Sequence, residues 1–346
     1  MKQEMLAAVL YGKQHVEIEK VAVPQLGDGD ILVRVRAALT CGTDVKVFHR
    51  GYHARMIVPP ALFGHELAGD IVATGAAVGG FRVGQRVVAA NSAPCGECFY
   101  CRKNNENLCE NLLFNNGAYA EFIRIPARLV QRNLYEIPHH VEYQDAALVE
   151  PLACVIRGID ETQVKPGDTV VVIGVGPIGL MFVRLLGLRG CRVIAIGRRR
   201  PQLDRALKLG AAVSLSILEE RDIVSAVKRE TMGYGADVVM EAVGTVDTWQ
   251  QAILMLRRGG VLNFFGGCPT DTQVQLDTQL MHYSEITCMA SFHHTPAHIR
   301  KALEAVVAGY ITASDFVTGE EPLSNLNEVL SYQLHKNGAV KTAIIP

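Results

Sequence analysis

At 346 residues the chain is too long for one small core and suits two domains. With 49% hydrophobic and 20% charged residues it has an ordinary globular composition, and a formal net charge of −1 leaves no basic field for nucleic acid or an anionic membrane. No apolar run reaches the length of a membrane span, and nine cysteines without an export signal point to reduced thiols in the cytoplasm, where clustered cysteines bind metal.

The opening MKQEMLAAVLYGK reads as a first strand rather than a signal peptide. HVEIEKVAV and ILVRVRAAL alternate, punctuated by GDGD and VGGFRVGQR, so the chain to about residue 150 is expected to be short strands and turns. After VKPGD the rhythm changes. TVVVIG is a buried strand, PIGLMFVRLLGLRG a helix closing near Gly187–Gly190, RVIAIG a strand, and PQLDRALKLG a helix ending on Gly210. DVVMEAVG, VLNFFGG and ITCMAS are further strands, separated by helical stretches such as DTWQQAILMLRRGG. Such alternation implies a parallel sheet covered on both faces. From about 292 the chain returns to a helix, PAHIRKALEAVVAG, and ends on a strand, AVKTAIIP.

CGECFYCRKNNENLC sets Cys95, Cys98, Cys101 and Cys109 in a C-x2-C-x2-C-x7-C array. Four soft thiolates suit a closed tetrahedral Zn2+ site that leaves no position for chemistry. An iron–sulfur cluster is the competing occupant, because ferredoxin spacings are similar. A nucleic-acid-binding zinc ribbon fits poorly with near-neutral charge. A second set of candidate ligands is dispersed: Cys41 in LTCGTDVKVFHRG, His65 and Glu66 in FGHELAGD, and Glu150 in ALVEPLACV. Cys41, His65 and a carboxylate would make the three-ligand arrangement of a catalytic zinc, with a position left open. Singly, each reads equally well as a core thiol, a satisfied polar residue and a helix-start acid.

VVVIGVGPIGL holds Gly174, Gly176 and Gly179 as G-x-G-x-x-G after a predicted strand and at the opening of a helix that begins Pro177–Ile178. That context favours a dinucleotide pyrophosphate on the helix N-terminus over a mere tight turn. At the end of the next strand, where NAD-specific proteins place an acid, stands Gly197, followed by Arg198 to Arg200. A missing carboxylate and available guanidinium groups favour NADP, with Arg198 and Arg199 as its contacts and NAD as the alternative.

Taken in order, CGTD, the G-H-E-x2-G-x5-G stretch GHELAGDIVATG, the four-cysteine loop, VEPLACV and KPGDTVVVIGVGPIGL resemble the zinc-containing medium-chain dehydrogenase/reductase superfamily over nearly the whole chain, most nearly its sorbitol, threonine and polyol dehydrogenase branch. The resemblance implies an α/β fold: a Rossmann doubly wound parallel sheet at 151–291, plus a GroES-like β-barrel catalytic domain at 1–150 and 292–346 with a structural-zinc lobe at 91–112. It implies Cys41, His65 and Glu66 as catalytic zinc ligands, and Glu150 as a fourth ligand or the carboxylate that holds the zinc's water. Cys154 is then core. Thr43 falls where the family keeps the hydroxyl that accepts the alcohol proton. The histidine that relatives often carry five residues after the ligand cysteine is replaced by Lys46, so Lys46, His49 or water takes the proton outward; Lys46 reads equally as a surface lysine.

The implied activity is reversible oxidation of a secondary alcohol with hydride transfer to a nicotinamide cofactor, with two zincs per chain, in a cytoplasmic homo-oligomer, a tetramer or dimer. His49, Arg50 and His53 hint at a hydroxylated substrate: a polyol, cyclitol or amino alcohol, with a simple secondary alcohol open. Phe292 and His293 are candidates for the pocket, and His294 is expected to face outward. A zinc-free quinone reductase and a non-catalytic NADP-binding protein are the rival readings. Both are disfavoured by the presence of Cys41, His65 and Glu66.

Overall fold

The computed structural model describes residues 3–53, 56–334 and 340–346; Met1, Lys2 and Ala339 of the quoted terminal stretches lie outside them. The chain divides into two units, Met1–Ala153 with His294–Pro346, and Cys154–His293.

The first unit opens with strands β1 (Glu4–Gly12), β2 (His15–Ala22), β3 (Ile31–Leu39), β4 (Ala61–Leu62), β5 (Glu66–Thr74), β6 (Arg86–Ala89), β7 (Ser92–Ala93), β8 (Leu113–Phe114), β9 (Phe122–Ile125) and β10 (Leu134–Glu136). The second contributes β11 (Thr169–Ile173), β12 (Arg192–Gly197), β13 (Val213–Ser216), β14 (Ala236–Glu241), β15 (Leu256–Phe264) and β16 (Thr287–Ala290), after which β17 (Val317–Pro322) and β18 (Lys341–Ile345) complete the first.

In the first unit β3 is central. It pairs antiparallel with β5, β9 and β18. The period-2 rule explains its burial: Ile31, Val33 and Val35 point into the core with Leu67, Ile71, Val87 and Ile123, while Arg34 and Arg36 point out. Because β3 touches both β5 and β18, it brings the start of β5 and the start of β18 to one place, with Leu39 opposite Glu66 and opposite Ala343. To about residue 150 sequence reading expected only strands and turns, and from about 292 one helix and a final strand. The helices Gly42–Arg50, Ala127–Arg132 and Leu326–Leu334, and strand β17, are additions.

The second unit is a six-stranded parallel sheet in the order β13-β12-β11-β14-β15-β16. This is the doubly wound order that reverses direction between its first and fourth strands. Its central strands are mostly apolar, because helices cover both faces: Val171, Ile173, Ile194, Ile196, Val239 and Leu262 are all buried. One expectation fails. LRRGG was expected to continue a helix, but the helix stops at Leu254 and Leu256–Gly260 belongs to β15. Arg257 donates to Asp237 Oδ1 at 2.6 Å, and a register shift in the β14–β15 pairing absorbs the glycines. Among the described residues no helix is long and apolar enough to cross a membrane.

Candidate active site

Cys41 follows β3 after Thr40 and is the N-cap of the helix Gly42–Arg50. Its Sγ accepts the Thr43 N–H at 3.4 Å, and its own N–H donates to Asp44 Oδ2 at 3.2 Å, a capping box built on a thiol. Asp44 is buried and also accepts the Tyr119 hydroxyl at 2.6 Å. It lies 3.0 Å from His65 Nδ1. With Nδ1–H held by a carboxylate, His65 keeps Nε2 as a ligand lone pair. Burial opposes protonation of His65, but Asp44 and then Cys41 outweigh it and hold its pKa well above the usual value. A bound cation would displace that proton.

The glycine of GHE has a packing reason. Gly64 has φ +86°, and a Cβ there would sit 2.6 Å from the Tyr119 ring. The turn therefore closes on Tyr119 and delivers His65 and Glu66 to the mouth of β5. Glu66, fully buried, receives Lys341 Nζ at 2.7 and 2.5 Å on its two oxygens, and Lys341 also donates to the Thr40 carbonyl at 2.9 Å. Burial pushes the Glu66 pKa up against the pull of Lys341.

The ligand atoms of Cys41, His65 and Glu66 all lie within 4.8 Å of one another. Glu150, second residue of the helix Val149–Thr162, falls outside that triplet. It is buried, and burial, only partly opposed by His65, pushes its pKa up to about 7. Thr43 is half-buried, while Lys46 and His49 are exposed on the same helix. His294 corrects an expectation. Rather than facing outward it is 2% exposed, with Nε2 3.1 Å from Asn91 Oδ1 and 3.6 Å from Glu150 Oε1. The polar partners Asn91 and Glu150 let an imidazole be buried there. Phe292 is 46% exposed and His293 has φ 67°. Cys154, expected in the core, is half-buried. Asp44, Tyr119 and Lys341 are the site residues that sequence reading missed. Asp44 carried a signal, as the N3 acid of a capping box.

The four lobe cysteines also converge within 4.8 Å. Cys95 and Cys101 sulfurs are 3.9 Å apart and those of Cys98 and Cys109 3.8 Å. Thiolates at about 2.3 Å from a tetrahedral zinc stand roughly 3.8 Å apart, so the set fits one ion. A disulfide needs about 2.05 Å, and a four-iron cluster, with one iron under each thiolate, needs wider spacing. Backbone N–H groups of Cys95, Gly96, Glu97 and Cys98 point at the sulfurs between 3.2 and 3.5 Å. Those of Cys101 and Glu110 pull the Cys98 pKa down to about 6.

In the second unit Gly174 (φ +97°) ends β11, Gly176 caps the helix Pro177–Leu188, and Gly179 packs so closely that a Cβ would lie 1.7 Å from the Gly174 carbonyl. A Cβ on Gly176 would meet nothing within 4 Å, so backbone there is open to a phosphate. Gly197 is closed: a Cβ would stand 2.3 Å from Val175 Cγ2. Beyond it Arg200 pairs with Asp204 at 3.0 Å. Among the described residues Arg198 and Arg199 have no carboxylate partner, and burial and then the Arg198 charge lower the pKa of Arg199.

Residues 27–139 match the alcohol dehydrogenase GroES-like domain family, and residues 177–308 match the zinc-binding dehydrogenase family. The sorbitol dehydrogenase of Bacillus subtilis is 30% identical over 99% of this chain and 98% of its own length. The L-threonine 3-dehydrogenase of Caldanaerobacter subterraneus is 36% identical over 77% of this chain and 76% of its own. Among solved structures, a zinc-binding dehydrogenase from Sinorhizobium meliloti 1021 bound to NADP superposes with a TM-score of 0.91 at 30% identity, covering 100% of both chains.

Proposed function

This chain belongs to the zinc-binding alcohol dehydrogenase family, and from that membership we propose that it oxidises a secondary alcohol of a polyol, cyclitol or amino alcohol to the ketone, reversibly, with NADP as hydride carrier. The observation that carries the reading is the meeting of Cys41, His65 and Glu66 within 4.8 Å, three metal-binding groups from two separate loops. Zinc held there supplies Lewis acidity that lowers the pKa of an alcohol hydroxyl. The nicotinamide supplies the hydride acceptor.

The chain's own residues do the rest. Asp44 fixes the His65 tautomer, and Lys341 offsets the Glu66 charge in a dry site. The Thr43 hydroxyl accepts the alcohol proton, and Lys46 or His49, exposed on the same helix, passes it to solvent. Glu150, buried at the start of its helix, serves as a fourth ligand or as the carboxylate that orders a water. Cys95, Cys98, Cys101 and Cys109 hold a second, structural zinc.

The polyol class is supported by the sorbitol, xylulose and threonine names among the relatives. NADP is supported by the closed Gly197 position, the unpaired Arg198 and Arg199, and the NADP-bound relative. The molecule is proposed to be a cytoplasmic homo-oligomer, a tetramer or dimer. The test is a screen of polyols, amino alcohols and simple secondary alcohols with NAD+ and NADP+, together with metal analysis. About two zincs per chain are expected. Cys41→Ser should retain the fold and lose activity; full activity in that variant would refute the reading.

A further inference from the structure

Asn91, His294 and Glu150 come from three separate stretches of the first unit, and all three are buried. Asn91 lies between β6 and β7, where the backbone is pinned on both sides. The Ala90 N–H donates to the Asn133 carbonyl at 3.0 Å, and the Asn91 carbonyl accepts the Asn115 N–H at 2.8 Å. The Asn133 amide adds a donation to the Ser92 carbonyl at 2.7 Å. His294 directly precedes Thr295, the N-cap of the helix Pro296–Val307, and Thr295 Oγ1 lies 2.7 Å from His298 Nδ1. Glu150 is the second residue of the helix Val149–Thr162.

The chemistry of this trio has a direction. His294 Nε2 stands 3.1 Å from Asn91 Oδ1, and an amide oxygen only accepts, so Nε2 carries the proton. The same nitrogen is 3.6 Å from Glu150 Oε1. That is too long for a hydrogen bond, but with little water to screen it an N–H dipole still attracts a carboxylate. Asn91 therefore fixes the ring, and the ring biases where the Glu150 carboxylate rests. That resting place is outside the cluster in which the ligand atoms of Cys41, His65 and Glu66 lie within 4.8 Å of one another. A fourth protein ligand would close the position that a substrate oxygen needs at a catalytic zinc.

On the zinc reading above, we infer that His294 is a positioning residue for Glu150: anchored on Asn91, it draws the carboxylate to the edge of the Cys41–His65–Glu66 set, where Glu150 orders a water instead of entering as a fourth ligand. A residue that merely filled space would act whether or not Glu150 kept its charge. A positioning residue acts only through that carboxylate.

The test loads Co2+ in place of zinc at both sites. Cobalt bands change with the number and kind of ligands, and the share of the cysteine lobe cancels in differences between variants. Glu150→Gln should leave the bands as in the wild type. In His294→Ala the freed Glu150 should enter as a ligand, changing the bands and raising Co2+ affinity at one site at least threefold. The double variant His294→Ala/Glu150→Gln should match Glu150→Gln in its bands, and in affinity within twofold. His294→Gln keeps an N–H donor and should restore the wild-type bands. Should His294→Ala fail to fold, as judged by its unfolding midpoint, Asn91→Ala removes the anchor and keeps the imidazole, and it must show the same Glu150-dependent change. Wild-type bands in both His294→Ala and Asn91→Ala, the same change in the Glu150→Gln background, or bands that already shift in Glu150→Gln alone would overturn the inference. Cobalt uptake by the wild-type protein that Cys41→Ser leaves unaltered would instead overturn the zinc reading on which it rests.

Discussion

Lys341 Nζ stands 2.7 and 2.5 Å from the two carboxylate oxygens of Glu66, and both side chains are sealed from solvent. Removing one member of such a pair leaves the other as an unpaired buried charge, which costs about 3–5 kcal/mol. Lys341→Met should therefore lower stability by about that much in urea unfolding. The double variant Glu66→Gln/Lys341→Met should recover most of the loss, because neither charge then remains. A single variant within about 0.5 kcal/mol of wild type, the range of an ordinary surface change, would mean that Glu66 finds other compensation.

At the proposed zinc site Asp44 would act on the metal through His65, whose Nδ1 lies 3.0 Å from its carboxylate. Replacing its carboxylate by an amide leaves the shape but weakens the hold on Nδ1–H and permits the wrong ring orientation. Loss of such a partner typically costs 10–100-fold in metal affinity. Asp44→Asn should show that loss at one of two zincs in competition with a chelator. The lobe zinc should be unchanged. Tyr119→Phe removes a donor to Asp44 and should act in the same direction more weakly.

What the sequence makes legible follows from how local each signal is. The lobe cysteines lie within fifteen residues, and the glycine loop is one strand, one turn and one helix, so spacing alone carries both. Lys341 is 275 residues from Glu66, and only the double pairing of β3 with β5 and β18 makes them neighbours. No local pattern encodes that register. His294 failed for a related reason: in SFHHTPAH nothing distinguishes it from His293, and the partners that permit its burial, Asn91 and Glu150, come from distant segments. The Leu256–Gly260 stretch failed because Arg257 is captured by Asp237, a tertiary contact that overrides helical periodicity.

Sulfurs about 3.8 and 3.9 Å apart in the lobe suit one ion, and zinc, the proposed occupant, predicts a colourless site. Zinc has no d–d transitions, whereas iron–thiolate sites absorb in the visible. The purified protein should show no visible absorption band, and Cys98→Ser should bind one zinc fewer. Because a structural zinc contributes folding free energy directly, that variant should also unfold at lower temperature. A brown protein would replace zinc by iron.

Glu150 gives the stability curve a definite sign. Its folded pKa of about 7 lies above the ordinary 4.5, so the fold favours the protonated form. The stabilisation this gives is complete below about pH 4.5 and is lost as pH rises through about 7, at about 1.4 kcal/mol per unit, or about 3 kcal/mol in all. A nearby cation would lower that pKa, so the comparison is made after chelation. Relative to Glu150→Gln, which does not titrate, the wild-type protein should lose stability steadily over that window in denaturant unfolding. A constant difference between the two would show that Glu150 keeps an ordinary pKa.

On the proposed NADP reading, the closed position at Gly197 acts by exclusion. An acid at the end of β12 would bind the ribose hydroxyls of NAD, but a Cβ there lies 2.3 Å from Val175 Cγ2 and 3.3 Å from Leu203 Cδ2. Gly197→Asp alone should therefore destabilise the unit and bring no gain with NAD+. Paired with Val175→Ala, which empties the clashing volume, it should shift preference toward NAD+. On the other side of the balance Arg199 is partly buried beside Arg198 and gains most from a phosphate. Arg199→Ala should raise KM for NADP+ at least tenfold, about 1.4 kcal/mol, and leave KM for NAD+ within twofold. Equal effects on the two cofactors would assign Arg199 to the shared pyrophosphate instead of the 2′-phosphate.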